Sequence, residues 1–198
     1  MSIDFMSSET KINLMKAFAG ESQARNRYTF AAAAARKAGL YAIEGAFLYT
    51  AGQEKEHAEI FFNHLSKADG ENILIDASFP VETYTDVLKS LKNAKHNEYE
   101  EYEDVYPSFA KTAEKEGFYA IASSFNQIAQ IEKTHGDRFK KFADAIEQNR
   151  LFESESEVEW VCLNCGHIYK GTKALEKCPV CDHDKGYFIK AEYSPYRN

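Results

Sequence analysis

The chain has 198 residues, of which 44% are hydrophobic, so it can form one full-sized domain with a core of its own and a small second unit. Its formal net charge of −7 argues against a nucleic-acid partner, because phosphate binding needs a basic surface. The sequence contains no apolar run of about 18 residues and does not begin with a basic stretch followed by an apolar one. We therefore expect neither a membrane span nor a secretion signal.

Helical periodicity dominates the first 150 residues, where apolar positions recur at steps of three and four. The pattern predicts four helices, at about residues 10–39, 41–67, 83–116 and 118–148. Gly39 and Gly117 are the predicted helix ends, 68–82 is the crossover, and Pro107 should kink or break the third helix. Short connections make successive helices antiparallel neighbours, so the sequence predicts a four-helix bundle built from two similar helix pairs.

Potential metal ligands interrupt the apolar seam of every predicted helix at mid-length: Glu21, Glu54, His57, Glu98, Glu101, Glu132 and His135. The second and fourth helices each carry Glu-x-x-His, a spacing that puts both side chains on one helix face. Burying even one unpaired carboxylate costs several kcal/mol, and no Lys or Arg falls on these seams near the five glutamates. Two divalent cations would supply the missing charge. Mixed oxygen and nitrogen ligands suit iron or manganese, although they do not exclude zinc.

Some of these residues can also be interpreted without a metal site. A single Glu-x-x-His is usually part of a solvated helix face, but two such motifs in register with two inward glutamates favour a metal site. Glu101 could lie outside the bundle, since it belongs to the acidic run 98–104; its seam position, one step after Glu98, favours the inside. Tyr28 and Tyr106 are candidates either for hydrogen-bond donors to the ligands or for ordinary aromatic core residues.

All the cysteines lie near the end of the chain, in two C-x-x-C units separated by twelve residues: Cys162, Cys165, Cys178 and Cys181. Such paired units predict one tetrahedral four-thiolate metal site, and their restriction to this site indicates a reducing cytoplasm. The cysteine pattern alone favours structural zinc, whereas a redox-capable dinuclear site in the same chain favours iron. The acidic stretch 153–159 is predicted to be a linker, and the roughly 40 residues that follow need a metal to fold.

Together these motifs resemble the rubrerythrin family over essentially the whole chain. The resemblance lies in GESQARNRYTF (20–30), the two Glu-x-x-His motifs, Glu98-x-x-Glu101 followed by YPSF (106–109), and the cysteine units. It implies an all-α ferritin-like four-helix bundle over 1–150, with two irons, and a small rubredoxin-like β module over 158–198, with one iron.

The same resemblance assigns roles to the ligands. It implies that Glu54 and Glu132 bridge the two irons, and that each iron has one further glutamate and one histidine, Glu21 and Glu98 being the glutamates and His57 and His135 the histidines. It also implies that one iron exchanges His57 for Glu101 as its redox state changes.

The family's activity, carried over as an expectation, is that of a non-haem peroxidase that reduces hydrogen peroxide to water in oxidative-stress defence. Glu101 and His57 would be its catalytic residues. Electrons would come from an external donor, a rubredoxin or an NAD(P)H-linked reductase, through the four-cysteine iron. The alternatives are a ferroxidase or iron-storage protein, and a zinc-ribbon interaction module on a structural bundle. A short linker at 150–158 would keep the module from its own dinuclear site, so we expect a head-to-tail homodimer or dimer of dimers.

Overall fold

A computed structural model describes residues 3–194, so the last four residues of the predicted β module lie outside it. Five helices come first: α1 (Glu9–Lys37), α2 (Tyr41–His64), α3 (Val87–Glu100), α4 (Tyr106–Glu116) and α5 (Tyr119–Glu147). Three strands follow: β1 (Glu153–Cys162), β2 (Ile168–Lys173) and β3 (Phe188–Lys190). Because α3 and α4 continue one another, the predicted four-helix bundle followed by a small β module is confirmed.

The helix ends follow local chemistry. The side chain of Ser8 accepts a hydrogen bond from the backbone N–H of Lys11 and so caps α1. Gly39, between α1 and α2, and Gly117, between α4 and α5, have φ values of 70° and 90°. Only glycine adopts this left-handed region without strain, and these residues therefore allow the sharp reversals that pair the helices. The crossover between the pairs has no regular secondary structure over residues 71–84.

The third predicted helix differs from the expectation. It begins at Val87, where the side chain of Asp86 caps it, and its break lies ahead of Pro107 as a π-helical turn over Glu101–Val105. Pro107 then lies in the first turn of α4, directly after this π-helical turn.

The π-helical turn also shifts the buried face of this helix by one position. Steps of three and four from Glu98 and Glu101 lead to Val105, but Val105 is only half-buried, and Tyr106 is buried in its place. In a regular helix Glu98 and Tyr106, eight residues apart, would point about 80° away from each other. The residue added by the turn reduces this difference to about 20°, which brings both side chains to the interior.

Two apolar clusters fill the bundle, one on each side of the predicted ligands. The first cluster includes Phe47, Leu91, Phe139 and Tyr28, and the second includes Phe61, Phe125, Leu14 and Tyr106. The acidic layer between them is thus enclosed by hydrocarbon along the bundle axis, which excludes water and strengthens every charge interaction inside.

The acidic stretch predicted to be a linker is instead a strand. β1 lies in the middle of an antiparallel sheet of order β2-β1-β3, with an irregularity between Glu153 and Val158. Trp160 is fully buried and Val158 half-buried, whereas Glu157 and Glu159 are exposed. The linker prediction was wrong because a strand with one solvated face needs apolar residues only at alternate positions.

The β module is packed against one end of the bundle. The rings of Tyr41 and Tyr187 are stacked with centroids 3.9 Å apart, and Ile189 joins the first apolar cluster of the bundle. The backbones of Gly39 and Gly186 meet so closely that a Cβ atom on Gly186 would lie 1.7 Å from the Gly39 carbonyl oxygen. The two units are therefore joined by a packed contact in addition to the chain itself.

Candidate metal centres

Six of the seven predicted bundle ligands converge in the interior. They form two groups of four, in each of which the potential ligand atoms all lie within 4.8 Å of one another. The first group is Glu21, Glu54, His57 and Glu132; the second is Glu54, Glu98, Glu132 and His135. Glu54 and Glu132 belong to both groups. Exchanging Glu21 for Glu98 and His57 for His135 converts one group into the other, as expected of two similar helix pairs.

The distances between these atoms suit coordination. Nδ1 of His57 lies 2.9 Å from Glu132 and 3.1 Å from Glu54, and Nδ1 of His135 lies 2.7 Å from Glu132 and 3.0 Å from Glu54. Neighbouring ligands around an ion with bonds of about 2.1 Å are about 3 Å apart. Two ions that share Glu54 and Glu132 would therefore need little movement of the side chains.

Unpartnered atoms provide the test of whether a metal fits. Within residues 3–194, six buried ligand atoms have no hydrogen-bond partner: Oε2 of Glu21, Oε1 of Glu54, Oε2 of Glu98, both carboxylate oxygens of Glu132, and Nδ1 of His135. Each such atom costs about 1–3 kcal/mol, and more when it is charged. Two divalent ions would give every one of them a partner. The residues thus fit a carboxylate–histidine site of the di-iron type.

The pKa shifts of the ligand side chains in the metal-free protein also indicate that the site needs positive charge. Burial and neighbouring carboxylates raise the pKa of Glu21 and of Glu98 well above the usual value. Burial would also raise the pKa of Glu54, but the adjacent imidazoles of His135 and His57 lower it to about 2. Against the effect of burial, the carboxylates raise the pKa of His57 to about 9 and that of His135 to about 12. In the metal-free chain the imidazoles are therefore cationic, and they must lose a proton to bind an ion.

Two tyrosines donate hydrogen bonds to the glutamates that belong to only one ligand group each. The Tyr28 hydroxyl donates to Oε1 of Glu98, and the Tyr106 hydroxyl donates to Oε1 of Glu21. Both rings are also packed in the apolar clusters, Tyr28 against Phe139 with centroids 5.1 Å apart. The sequence offered two alternatives for these tyrosines, hydrogen bonding to the ligands and filling the core. In the structure each tyrosine does both.

Sequence reasoning missed the residues that orient His135. Nε2 of His135 lies 3.1 Å from Oε1 of Gln53, and Arg138 donates to the same oxygen at 3.3 Å and to Thr50 at 2.6 Å. Gln53 thus fixes the ring so that Nδ1 faces the other ligands. No hydrogen bond to a described residue holds Nε2 of His57. Their positions in the sequence could have pointed to them, since Gln53 adjoins Glu54 and Arg138 lies one helical turn after His135.

Glu101 lies on the π-helical turn and is half-buried, outside both groups of ligand atoms. Burial and the charges of Glu98, Glu132 and Glu54 raise its pKa well above the usual value, so it is close enough to interact with the site. Its coordination of a metal stays a prediction.

No Lys or Arg lies on the seams near the ligands, but two arginines beside the seams act on the site. Arg27 is buried one position before Tyr28, and its charge acts on Glu101; half-buried Arg138 interacts with Glu98 and Glu54. Both arginines lie just off the seams, and their long side chains reach back toward the site.

The four cysteines also converge. Their sulfur atoms lie within 4.8 Å of one another, with 3.8 Å between Cys162 and Cys181 and 3.6 Å between Cys165 and Cys178. Sulfur atoms at the corners of a tetrahedron with metal–sulfur bonds of about 2.3 Å are about 3.8 Å apart. The backbone amide of His183 donates to Cys181 and is the main reason that the pKa of this thiol falls to about 6. A thiolate is the form that binds a metal.

The comparisons with known proteins agree with this geometry. The sequence profile of the rubrerythrin family matches residues 13–143, and that of the rubrerythrin rubredoxin-like domain matches 160–189. The chain belongs to the rubrerythrin family. It is 48% identical over 183 residues to Rubrerythrin-1 of Clostridium acetobutylicum, covering 91% of this chain and 93% of that one. It is 46% identical over 182 residues to the rubrerythrin of Clostridium perfringens, with the same coverage.

Solved structures show the same architecture. Nigerythrin in a mixed-valence state matches with a TM-score of 0.62 and 27% identity, over 93% of this chain and 90% of that one. Symerythrin from Cyanophora paradoxa, at 20% identity and a TM-score of 0.61, covers 74% of this chain and 89% of its own and shares the fold. None of the helices in the described part of the chain has the length and apolarity needed to cross a membrane.

Proposed function

We propose that this rubrerythrin-family chain is a non-haem di-iron peroxidase that reduces hydrogen peroxide to two water molecules, taking up two electrons and two protons. The observation that carries the proposal is the presence of two different candidate metal centres in one chain, one built for a pair of ions and one for a single ion held by thiolates. When bound, the pair would supply the two electrons that cleave the O–O bond, and the thiolate iron would return them one at a time.

The protein side chains would manage protons and orientation. Glu101 is half-buried, and burial and neighbouring carboxylates raise its pKa above that of an ordinary glutamate, which favours its protonated form. Gln53 holds His135 through its second nitrogen, whereas His57 has no such anchor among residues 3–194. This difference supports His57 as the ligand that is exchanged for Glu101 and as a second carrier of protons.

We also propose that each β module serves the bundle of a partner chain, in a head-to-tail homodimer or a dimer of dimers. The module is docked beside Tyr41, at the start of α2. Glu54 lies thirteen residues further along that helix, which is about 20 Å away along the axis. A partner's module placed against the flank of the bundle avoids this separation. The external donor would be a rubredoxin or an NAD(P)H-linked reductase in a reducing cytoplasm.

A ferroxidase or iron-storage role is the second candidate, since the buried carboxylate–histidine groups would suit iron oxidation equally well. The four-cysteine site argues against it, because mineralising iron needs no separate entry point for electrons.

The test separates electron supply from peroxide chemistry. Cys165→Ser, at an exposed ligand, should abolish steady-state peroxide reduction by an external donor, while the pre-reduced bundle should still consume about one peroxide per chain in a single turnover. Lys170→Ser, an exposed change in the same module, is the control and should keep both activities. Full steady-state activity of Cys165→Ser, or oxygen-driven accumulation of ferric mineral in place of peroxide reduction, would contradict the proposal.

A further inference from the structure

A cavity of about 180 Å³ reaches Glu101 and Tyr106, the tyrosine that donates a hydrogen bond to the candidate ligand Glu21. Glu101 and Tyr106 form one side of it, together with neighbouring residues of α3 and α4, and the other sides come from α1 and from residues 77–80 of the crossover. Since one water occupies about 30 Å³, the space holds roughly six waters, or a small peroxide with a few waters, but no large organic molecule.

Arg27 lines this cavity and carries an unused donor. Its side chain is 8% exposed, and its terminal nitrogen lies 3.3 Å from Oε1 of Glu82, which also accepts a hydrogen bond from Asn97 at 3.0 Å. The Nε of Arg27 is buried and has no hydrogen-bond partner in the described part of the protein. A buried donor without an acceptor is costly, so this N–H indicates that a polar ligand or water belongs beside it.

Phe79 forms the outer wall of the same cavity. It belongs to the exposed crossover, is itself 41% exposed, and lies over α1 at Gly20, where its ring is 3.8 Å from the position that a Cβ would take. A bulky aromatic ring on a segment without regular structure limits the width of the passage between solvent and Glu101.

We propose that this cavity is the entrance through which a small hydroperoxide reaches the Glu101 side of the bundle's site. Arg27 binds the incoming oxygen through Nε–H, and Phe79 sets the upper limit on the size of the substrate. The inference rests on the proposed peroxidase function and adds to it a route, a substrate-binding residue and a size limit.

The size limit is tested by Phe79→Ala. Widening the passage should raise kcat/KM for tert-butyl hydroperoxide relative to that for hydrogen peroxide by about tenfold, the scale set by small changes in pocket size. Phe62→Ala, the same change at an exposed phenylalanine of α2 outside this cavity, is the matched control and should leave the ratio unchanged. An unchanged ratio in Phe79→Ala would overturn the role of Phe79.

The role of Arg27 is tested against a purely structural one. Arg27→Met should raise KM for hydrogen peroxide by about tenfold with little change in kcat, because it removes the Nε donor. Glu82→Gln weakens the ion pair with the crossover but keeps Nε, so its effect should be much smaller. Arg25→Met, at an exposed position two residues earlier on α1, is the control. If Glu82→Gln reproduces the change in KM, Arg27 only anchors the crossover and the proposal is wrong.

A readout without turnover separates this inference from the peroxidase proposal. Release of bundle iron from the reduced, loaded protein to 2,2′-bipyridine is followed by its red absorbance. Phe79→Ala should speed this release several-fold relative to the wild-type and Phe62→Ala proteins. If the wild-type protein lacks peroxide turnover, the peroxidase proposal fails, and the release rates still decide whether this cavity is the route. Equal rates in all three proteins would refute the route.

Discussion

Replacing Gly186 with alanine tests the packing of the β module on the bundle. The added methyl group would lie 1.7 Å from the carbonyl oxygen of Gly39 and 3.1 Å from the ring of Tyr41. Because the nearest atom belongs to backbone, a side-chain rotation cannot relieve the clash, and the module must move away by about 1.5–2 Å to reach ordinary contact. The backbone of Gly186 is not in the left-handed region, so alanine introduces no conformational strain of its own.

The cost follows from two contributions. Forced overpacking costs about 1–3 kcal/mol, and the stacked pair of Tyr41 and Tyr187 contributes about 0.5–1.5 kcal/mol beyond its buried area. If both are affected, the total is about 1.5–4.5 kcal/mol. For a chain of this size a loss of about 3 kcal/mol lowers the melting temperature by roughly 6–12 °C.

The assay compares thermal and urea unfolding of Gly186→Ala with those of Gly45→Ala. Gly45 lies inside α2, and a Cβ there would meet nothing within 4 Å, so alanine should stabilise that variant by about 0.5–1 kcal/mol through its helix propensity. The reasoning is refuted if Gly186→Ala is as stable as wild type or as Gly45→Ala, since the contact with Gly39 would then be absent in solution.

Two further predictions concern the bundle's metal centre. Gln53→Leu should lower the affinity for divalent metal by about 10–100-fold with helix content unchanged, because His135 loses the partner that orients it; competition with a chelator measures this, and an unchanged affinity would rule the orienting role out. Raising the pH from 6.5 to 9 should destabilise the metal-free chain, since the pKa of His57 is raised to about 9 on folding and that stabilisation is lost as the pH passes this value; the raised pKa values of Glu21 and Glu98 act in the same direction. The metal-loaded chain should instead gain stability over this range, because ions compete with protons for the ligands, so parallel pH profiles of the two melting temperatures would contradict the interpretation.

Much of the site follows from helix geometry alone. A helix brings residues three and four apart to one face, so the positions of the two Glu-x-x-His motifs and of the glutamates facing them are predictable from the sequence. The cysteine units are equally informative, because their spacing fits a single tetrahedral ion. These features depend on local periodicity, which a sequence displays directly.

The features that sequence could not predict depend on hydrogen-bond register and on contacts between helices. The π-helical turn replaces Val105 by Tyr106 on the buried face, and nothing in the alternation of apolar residues marks the added residue. Gln53 and Arg27 act through contacts with α5 and the crossover, which only the tertiary structure defines. β1 was missed because its exposed face is acidic and only a few of its side chains are buried.

The π-helical turn also gives the chain a place where its length can change. The segment 101–105 holds one residue more than its axial length requires, so removing one residue there would leave a regular helix between ends that keep their positions. A deletion elsewhere in α3 or α4 would rotate one end against the other by about 100° and move either Glu98 or Tyr106 away from the interior. A relative that lacks the added residue must therefore be aligned with a gap at this turn, since an ungapped alignment would match Tyr106 with a residue on a different face.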